Sequence, residues 1–366
     1  MSGRRTVRSL GITAAMRPEI LSYEEEPPVD GEFRVDTVFS GLSAGTELTF
    51  LKGTNPYLHA SWDAERGVFE PGVPSRSFPV QALGYMEVGR VVETCTSRVD
   101  VGALVATTYG HRTGFVVDPG RFVAVLPPGL DPLLGIYVAQ MGPICANGLL
   151  HASAELAGPR PDVTLADGVR DRLVLVTGGG VVGLLTGLFA RLHGAAEVAV
   201  ADPDPARLAA AAALGLTPVE EQSVWEWCTS SWVHGPADRG ADVVFQCRGR
   251  AAVLADALRS LRPQGTVIDL AFYDGGAQDL RLGEEFHHNG LTIRCAQINR
   301  VPRGLAGSWD RQRLAEATLD LLAVHGDLVR RHVVTDVVPL EQGPELMTAL
   351  AQRRRSAIQA VFSVGA

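Results

Sequence analysis

The sequence has 366 residues, enough for two domains with separate hydrophobic cores. Hydrophobic residues make up 46% and charged residues 20% of the chain, and no run approaches the roughly 18 apolar residues of a membrane span. The net charge of −8 is spread along the chain, so we expect neither a nucleic-acid surface nor a membrane contact. The five scattered cysteines predict reduced thiols in a cytoplasmic protein, and the basic start without an apolar run predicts no secretory signal.

The first 140 residues are expected to form a mostly β domain. They are rich in Gly and Pro, and turn signals separate the short β-type runs FRVDTVFS, VGRVVETC, ALVATTY and GFVVDP.

From about Arg172 apolar strands alternate with Ala- and Leu-rich helices, which is typical of an α/β doubly wound parallel sheet. The predicted strands cover residues 173–177, 197–201, 217–219, 242–247, 266–271 and 291–297. The predicted helices between them cover residues 181–193, 205–214 and 251–261. A helix at 311–324, a strand at 332–337, a further helix and a strand at 357–363 are predicted to follow.

The strongest motif lies in RLVLVTGGGVVGLLTGLFARLHG, where an apolar strand leads through a G-x-G-x-x-G turn into a helix. The first glycine permits a tight turn, the second lets a pyrophosphate approach the backbone, and the third allows close helix–strand packing. The helix N-terminus offers free N–H groups and a positive dipole end to the anion. The pattern predicts a dinucleotide site made by Gly178, Gly179, Gly180, Val181, Val182 and Gly183.

Asp202 is predicted to end the second strand of this region, shortly after the glycine motif. A carboxylate there accepts hydrogen bonds from a ribose 2′-hydroxyl and repels a 2′-phosphate, and Pro203 and Asp204 follow in place of an arginine. We therefore expect NAD as the cofactor and favour it over NADP. The alternative is that Asp202 only caps the helix that begins near Pro205.

A β-rich first part, a dinucleotide-binding region and a return to the first part resemble the medium-chain dehydrogenase/reductase superfamily, which includes the zinc alcohol dehydrogenases. The resemblance covers essentially the whole chain and is carried also by SGLSAGTEL, LGYMEVGRVVE, AVLPPGLDP and AIQAVFSV. It implies a GroES-like catalytic domain at residues 1–145 and 299–366 and a Rossmann NAD-binding domain at residues 146–298. The loop S-x-x-S-A-G-T-E, the strand G-Y-x-x-V-G-R-V and AQINRVP are similar to a zinc-lacking subgroup with bacteriochlorophyllide-type dehydrogenases.

Catalytic zinc in this family takes three protein ligands and keeps one position open. In the resemblance, Ala44 takes the place of the cysteine of C-G-[ST]-D, and Tyr85 and Met86 replace the histidine and glutamate of G-H-E-x-x-G. The third ligand falls near Pro143, with Cys145 as the alternative. Because one thiol cannot make a zinc site, we expect no metal.

The same resemblance suggests three catalytic candidates. Thr46 stands at the family's Ser/Thr that hydrogen-bonds the substrate hydroxyl, and the alternative is a turn threonine that bonds backbone. Tyr85 is expected to point into the vacated metal space, where it either polarises a substrate oxygen or fills the void. Glu47 replaces the family aspartate and is either a base or the structural partner of an arginine, while His111 is expected to be a β-edge histidine.

The segment between Ala44 and Tyr85 is longer than in typical zinc members and contains Tyr57, Trp62 and Phe69. It is predicted to be either a lid with an aromatic lining or an ordered surface loop that packs its own aromatic side chains.

By resemblance, the ends of the fourth and fifth strands lie near the nicotinamide, and the strand at 291–297 joins family members into homodimers. The residues expected beside the nicotinamide are Gly249, Ala271, Phe272 and Tyr273.

Together these features predict a zinc-independent, NAD-dependent oxidoreductase that interconverts a secondary alcohol and a ketone on a polar small molecule. One alternative is an NADPH-dependent enoyl or quinone reductase. Another is a redox-neutral epimerase or lyase in which bound NAD is transiently reduced. A non-catalytic dinucleotide sensor fits less well, because Thr46 is retained and the segment after it is elaborated.

Overall fold

A computed structural model describes residues 3–158, 160–273 and 275–365. The chain forms two compact units. One contains the residues up to Gln140 together with those from Val334 onward, and the other is Met141–Val333. Among the described residues, no helix is both long enough and apolar enough to cross a bilayer.

The first part of the chain is mostly β, as predicted. Its strands are β1 (Arg5–Ala14), β2 (Arg17–Glu25), β3 (Phe33–Gly41), β4 (Ala60–Asp63), β5 (Val68–Pro71), β6 (Glu87–Thr94), β7 (Leu104–Thr107), β8 (Gly114–Val117) and β9 (Val123–Val125). Helix α1 (Ala44–Lys52) follows β3 and ends at Gly53, whose φ of +75° is the left-handed conformation common at helix ends.

The second unit alternates strands and helices. Its strands are β10 (Leu173–Thr177), β11 (Glu197–Asp202), β12 (Thr217–Glu220), β13 (Val233–Gly235), β14 (Asp238–Arg239), β15 (Ala241–Gln246), β16 (Leu261–Asp269) and β17 (Thr292–Cys295). Its helices are α2 (Met141–Leu156), α3 (Val181–Leu192), α4 (Pro205–Ala213), α5 (Val224–Ser231), α6 (Ala251–Arg259), α7 (Glu285–His288) and α8 (Arg311–His332).

One parallel sheet runs through this unit in the order β12-β11-β10-β15-β16-β17. The order reverses between β10 and β15, which is the arrangement of a doubly wound nucleotide-binding domain. A core of buried apolar side chains from β10, β11, β15, β16 and α6 packs against one face. Consecutive side chains of β10, β11 and β15 are nearly all buried, so these apolar runs are strands that are covered on both faces.

The chain then returns to the first unit through β18 (Val334–Pro339), α9 (Gly343–Ala351) and β19 (Gln359–Ser363). The main sheet of this unit runs β18-β19-β3-β6-β7-β9, with β8 paired to β3. The last strand thus lies inside the sheet, where Val361 pairs with Gly41.

The second domain limit differs from the predicted 298/299. Helix α8 belongs to the second unit because it packs on α2, where a Cβ added to Gly142 would lie 2.1 Å from Thr318 Cγ2. The helix also continues past the predicted end at residue 324 to His332, with Gly326 buried within it.

Candidate functional site

The glycine-rich turn lies between β10 and α3, as predicted. Gly178 has a φ of +102°, and a Cβ on Gly183 would lie 1.8 Å from the Gly178 carbonyl oxygen. Gly180 is the N-cap residue of α3 and has no side chain that could occupy the N–H groups of the first turn. A Cβ on Gly180 would meet only Arg207 Nη1, at 3.9 Å, so the space above the turn is open for an anion.

Asp202 braces this turn from the end of β11. Its carboxylate is 1% exposed and accepts the N–H groups of Gly179 at 2.8 Å and Asp204 at 2.9 Å. The alternative that Asp202 caps the next helix is wrong, because Asp204 is the residue that caps α4 through the N–H of Ala206. A carboxylate has further lone pairs, so these two hydrogen bonds leave acceptor capacity on Asp202.

Arg207 is a charged neighbour that the sequence reasoning missed. It lies in the first turns of α4, and its guanidinium Nη1 is 3.5 Å from Asp202 Oδ2. In the sequence PDPAR, Arg207 stands one helical turn after Asp204. A cation beside the Asp202 carboxylate reduces the repulsion between that carboxylate and a ribose 2′-phosphate. Asp202 alone therefore does not decide between NAD and NADP.

The predicted nicotinamide residues lie after β15 and β16 and contact one another. A Cβ on Gly249 would lie 2.0 Å from the Phe272 carbonyl oxygen. The Tyr273 hydroxyl donates to Asp269 Oδ2 at 3.0 Å, while Ala271 donates its N–H to the other oxygen of Asp269 at 2.9 Å. Burial raises the pKa values of the Asp269 carboxyl and the Tyr273 phenol.

In the first unit, the structure brings the predicted Thr46 and Tyr85 together. Tyr85 precedes β6, and its hydroxyl donates toward Thr46 Oγ1 at 3.5 Å. Both residues are half-buried. Burial raises the pKa of the Tyr85 phenol, and hydrogen bonds from the neighbouring hydroxyls only partly offset this. The phenol is therefore a hydrogen-bond donor at neutral pH.

Ser43 is a third hydroxyl that the sequence reasoning missed. It is the N-cap residue of α1, and its Oγ is hydrogen-bonded to the Tyr85 hydroxyl. A serine at a helix start is ordinarily assigned to capping, and for that reason it carried no functional signal in the sequence.

Glu47 and His111 differ from what was expected of them. The Glu47 side chain is buried against His111, whose Nε2 is 2.7 Å from Glu47 Oε2, and its ion-pair partner in the described part of the chain is this histidine and not an arginine. His111 is 1% exposed instead of lying at a sheet edge, and its Nδ1 is hydrogen-bonded to Ser40 Oγ. These residues were not linked in the sequence because 64 positions separate the carboxylate from the imidazole.

The positions at which the family holds zinc contain a poor donor set. Ala44 has no donor atom, and Met86 is fully buried in packing against Gly41. The Cys145 thiol donates to the Val182 carbonyl at 3.4 Å, and burial raises its pKa to about 12, which opposes the thiolate that zinc requires. Among the residues that the structure describes, no group of three or more His, Cys, Asp and Glu side chains is arranged to hold a metal ion.

The long segment after α1 forms an antiparallel hairpin of β4 and β5. Trp62 and Phe69 pair across it with ring centroids 5.1 Å apart, and the Tyr57 ring packs at a tilt on Phe69 with centroids 5.5 Å apart. The aromatics do pack on each other, yet Trp62 and Phe69 remain 40% and 45% exposed. A lid role for this hairpin stays a prediction.

The β-rich unit and the doubly wound unit with its glycine-rich turn form the architecture of solved alcohol dehydrogenase-like structures, and the similarities that follow support an oxidoreductase of that class. A family described as zinc-binding dehydrogenase matches residues 181–310. The chain is 26% identical to D-guloside 3-dehydrogenase of Escherichia coli (strain K12) over 356 residues, covering 93% of this chain and 94% of that protein.

Two solved structures share the fold along nearly the whole chain. A protein from Sinorhizobium meliloti 1021 bound to NADP superimposes with a TM-score of 0.72 at 18% identity, covering 98% of this chain and 99% of the other. The 2R,3R-butanediol dehydrogenase of Bacillus subtilis superimposes with a TM-score of 0.73 at 17% identity, covering 98% and 100%. The predicted fold class is confirmed. The similarities support the predicted relationship of this chain to the zinc-binding dehydrogenase superfamily.

Proposed function

We propose that this protein is a zinc-independent, NAD-dependent oxidoreductase that interconverts a secondary alcohol and a ketone on a polar small molecule. The observation that carries this proposal is the hydroxyl cluster of Ser43 and Thr46, at the start of α1, with Tyr85, which precedes β6. By the resemblance, Ala44 in the same turn of α1 replaces the family's first zinc ligand. Loss of the metal ligands together with retention of hydroxyl donors is typical of a changed catalytic strategy, and we assign the chain to the zinc-lacking subgroup on that basis.

The cofactor would bind along the second unit, with its pyrophosphate on the N–H groups of Gly179 to Gly183 and its ribose on Asp202. Bound NAD would accept the hydride from the carbinol carbon. The open space above Gly180 and the brace from Asp202 to Gly179 support this placement. The residues after β15 and β16, from Gly249 to Tyr273, would flank the nicotinamide.

In the first unit, Thr46 and Tyr85 would handle the substrate oxygen. The phenol is neutral, so Tyr85 would donate its hydrogen bond to a ketone oxygen or to the negative charge that develops on it. Glu47 is held by a backbone N–H and by His111, which supports a positioning role over that of a base.

The substrate class is suggested by the relative whose name states oxidation of D-gulosides at position 3. The 3-hydroxyl of a glycoside is a secondary alcohol on a polar ring. We therefore propose cyclic polyols and glycosides as the first substrates to examine.

The test combines metal analysis with initial rates. Purified protein should contain well below one zinc per chain, and it should form NADH from NAD with a member of a panel of methyl glycosides and cyclic polyols. A chelator should leave the rate unchanged, since no metal takes part. Near-stoichiometric zinc, or loss of activity with the chelator, would contradict the metal-free assignment.

Two variants test the residues. Thr46→Val and Tyr85→Phe should each lower kcat by about 10²–10⁴-fold, which is the range for a lost proton-handling group. Tyr109→Phe is the matched control, because Tyr109 stacks on Phe115 in the first unit and lies outside the hydroxyl cluster. Full activity in both variants would remove these residues from the mechanism.

One observation favours a second candidate, the NADPH-dependent enoyl or quinone reductase. Arg207 lies beside Asp202, and one structural neighbour was solved with NADP. Consumption of NADPH by enones, with no oxidation of alcohols, would select this candidate. Turnover without net NADH would instead select the redox-neutral epimerase or lyase.

We also propose a cytoplasmic homodimer. Strand β17 lies at the end of the parallel sheet, and its open edge supports pairing with a second copy. Light scattering during size-exclusion chromatography tests the oligomeric state.

A further inference from the structure

The serine at the start of α1 does not use its hydroxyl to cap the helix. Ser43 occupies the N-cap position, where a serine usually accepts a hydrogen bond from an N–H group of the first turn. That bond is not made, and the hydroxyl bonds the phenol of Tyr85 instead. A local stabilising role is thus given up at this residue, which is typical of functional sites.

Glu47 holds the backbone that Ser43 leaves uncapped. Its Oε1 accepts the Ser43 N–H at 2.7 Å, as the glutamate of a capping box does, although Glu47 stands one position later in the helix. The N–H groups of Thr46 and Glu47 also donate to the Ser43 carbonyl, at 3.0 and 2.8 Å. The Ser43 main chain is therefore fixed on both sides while its side chain faces Tyr85.

The carboxylate of Glu47 is in turn fixed by a buried imidazole. His111 Nε2 lies 2.7 Å from Glu47 Oε2, and His111 Nδ1 is hydrogen-bonded to Ser40 Oγ at the end of β3. Because the ring uses both nitrogens, it cannot rotate without losing a hydrogen bond to a buried group.

The same histidine supports the segment that carries Tyr85. Its backbone N–H donates to the Leu83 carbonyl at 3.0 Å, two residues before the tyrosine. Gly84 has a φ of +90° and packs on the imidazole, since an added Cβ would lie 2.9 Å from His111 Cε1. One residue, His111, therefore supports Ser43 through Glu47 and supports Tyr85 through the two residues before it.

We propose that Ser43 is a positioning residue for Tyr85 and that Ser40, His111 and Glu47 form the buried support that keeps the two hydroxyls in contact. Ser43 is 6% exposed, so it acts through the phenol and not on the substrate. The contribution of Ser43 to catalysis rests on the proposed function of Tyr85.

The contact between Ser43 and Tyr85 orients the phenol proton. A phenol has one proton, so when Ser43 donates to the Tyr85 oxygen, the Tyr85 proton is directed away from Ser43. The only other hydroxyl bonded to it in the described part of the chain is Thr46, at 3.5 Å, which is long for an O–H···O hydrogen bond. A substrate oxygen can therefore displace that weak contact and receive the phenol proton as a hydrogen bond.

The first measurement needs no substrate. The protein contains six tyrosines, and after replacement by 3-fluorotyrosine the ¹⁹F resonance of Tyr85 is the one absent from Tyr85→Phe. Ser43→Ala should shift this resonance and move its titration to higher pH, because the Ser43 hydrogen bond lowers the phenol pKa against the effects of burial and of the nearby Glu47 carboxylate. Ser43→Thr, which keeps a hydroxyl, should restore it. An unchanged resonance and titration in Ser43→Ala would overturn the assignment.

The second measurement is kinetic and uses the NAD-dependent oxidation described above. Ser43→Ala should lower kcat by about tenfold to a hundredfold with little change in KM, and Ser43→Thr should recover most of it. Ser223→Ala is the matched control, because Ser223 is also an N-cap serine without a side-chain cap bond and lies in the second unit. A shifted Tyr85 resonance with an unchanged kcat in Ser43→Ala would overturn the proposal that the Ser43 contact assists catalysis. Absence of turnover in the unaltered protein would count against the proposed function, while the resonance still decides whether Ser43 positions Tyr85.

Discussion

Glu87, the first residue of β6, is a carboxyl group with no exposure to solvent. Thr107 donates its hydroxyl to Oε2 at 2.6 Å, but burial raises the pKa of the carboxyl from 4.5 to about 8. The folded protein therefore holds it protonated at neutral pH, while the unfolded chain ionises it above about 4.5. The stability that depends on this group is present below pH 4.5 and is lost as pH rises toward 8.

Glu87→Gln keeps the shape and removes the titration. We expect the variant and the unaltered protein to have similar free energies of unfolding near pH 5, and the variant to be more stable by a few kcal/mol near pH 8. Urea denaturation across this range measures the difference. Glu65→Gln, at an exposed position, is the control and should give a curve parallel to that of the unaltered protein. A Glu87→Gln curve that is also parallel would contradict the buried, protonated carboxyl.

Individual residues also show what the sequence could reveal of the site. Thr46 and Tyr85 were proposed as site candidates from the sequence, because each stands at a fixed offset within a short motif. Ser43, His111 and Arg207 were not. Ser43 has an ordinary local role available as a helix cap, and the partners of His111 and Arg207 become neighbours only when strands and helices pack.

At the level of elements, the turn from β10 to α3 was predicted to within one residue, because its strand, glycines and helix form one continuous local pattern. Strand β16 begins five residues before the predicted start at 266, at Leu261, since pairing with β15 extends it through residues of weak strand propensity. Tertiary pairing in that case outweighs local preference.

The glycine turn permits a sharp test with two matched substitutions. Gly180 has φ and ψ of −78° and −177°, which alanine adopts freely, and its added Cβ would be in open space. Gly180→Ala should fold with an unchanged melting temperature but weaken NAD binding by at least about tenfold, because the methyl group would occupy the space proposed for the pyrophosphate. Gly183→Ala should instead destabilise the protein by about 3 kcal/mol through its clash with the Gly178 carbonyl.

Thermal unfolding and calorimetric titration with NAD measure both effects. NAD affinity in Gly180→Ala equal to that of the unaltered protein would remove the pyrophosphate from this turn. Normal stability in Gly183→Ala would contradict the close helix–strand packing.

At the scale of the whole molecule, the last strand, β19, holds the residue that precedes the hydroxyl cluster. The Leu42 N–H donates to the Ala360 carbonyl at 2.9 Å, and the buried Gln359 donates its side-chain amide to the Leu42 carbonyl at 3.0 Å. The residue just before Ser43 is therefore held by a strand 317 positions away. No local sequence pattern could indicate this support, because it exists only once the chain has passed through the second unit and returned.

Gln359→Met tests this support, since methionine has a similar length and no donor. The variant should lower the free energy of unfolding by about 1–3 kcal/mol, because the Leu42 and Ala360 carbonyls that now accept the amide lose a buried donor. It should also lower kcat, because the residue before Ser43 is no longer fixed. Gln81→Met, at an exposed position of the same unit, is the control for the loss of an amide. If urea denaturation and initial rates show the two variants to be equal, β19 does not support the segment of Leu42 and Ser43.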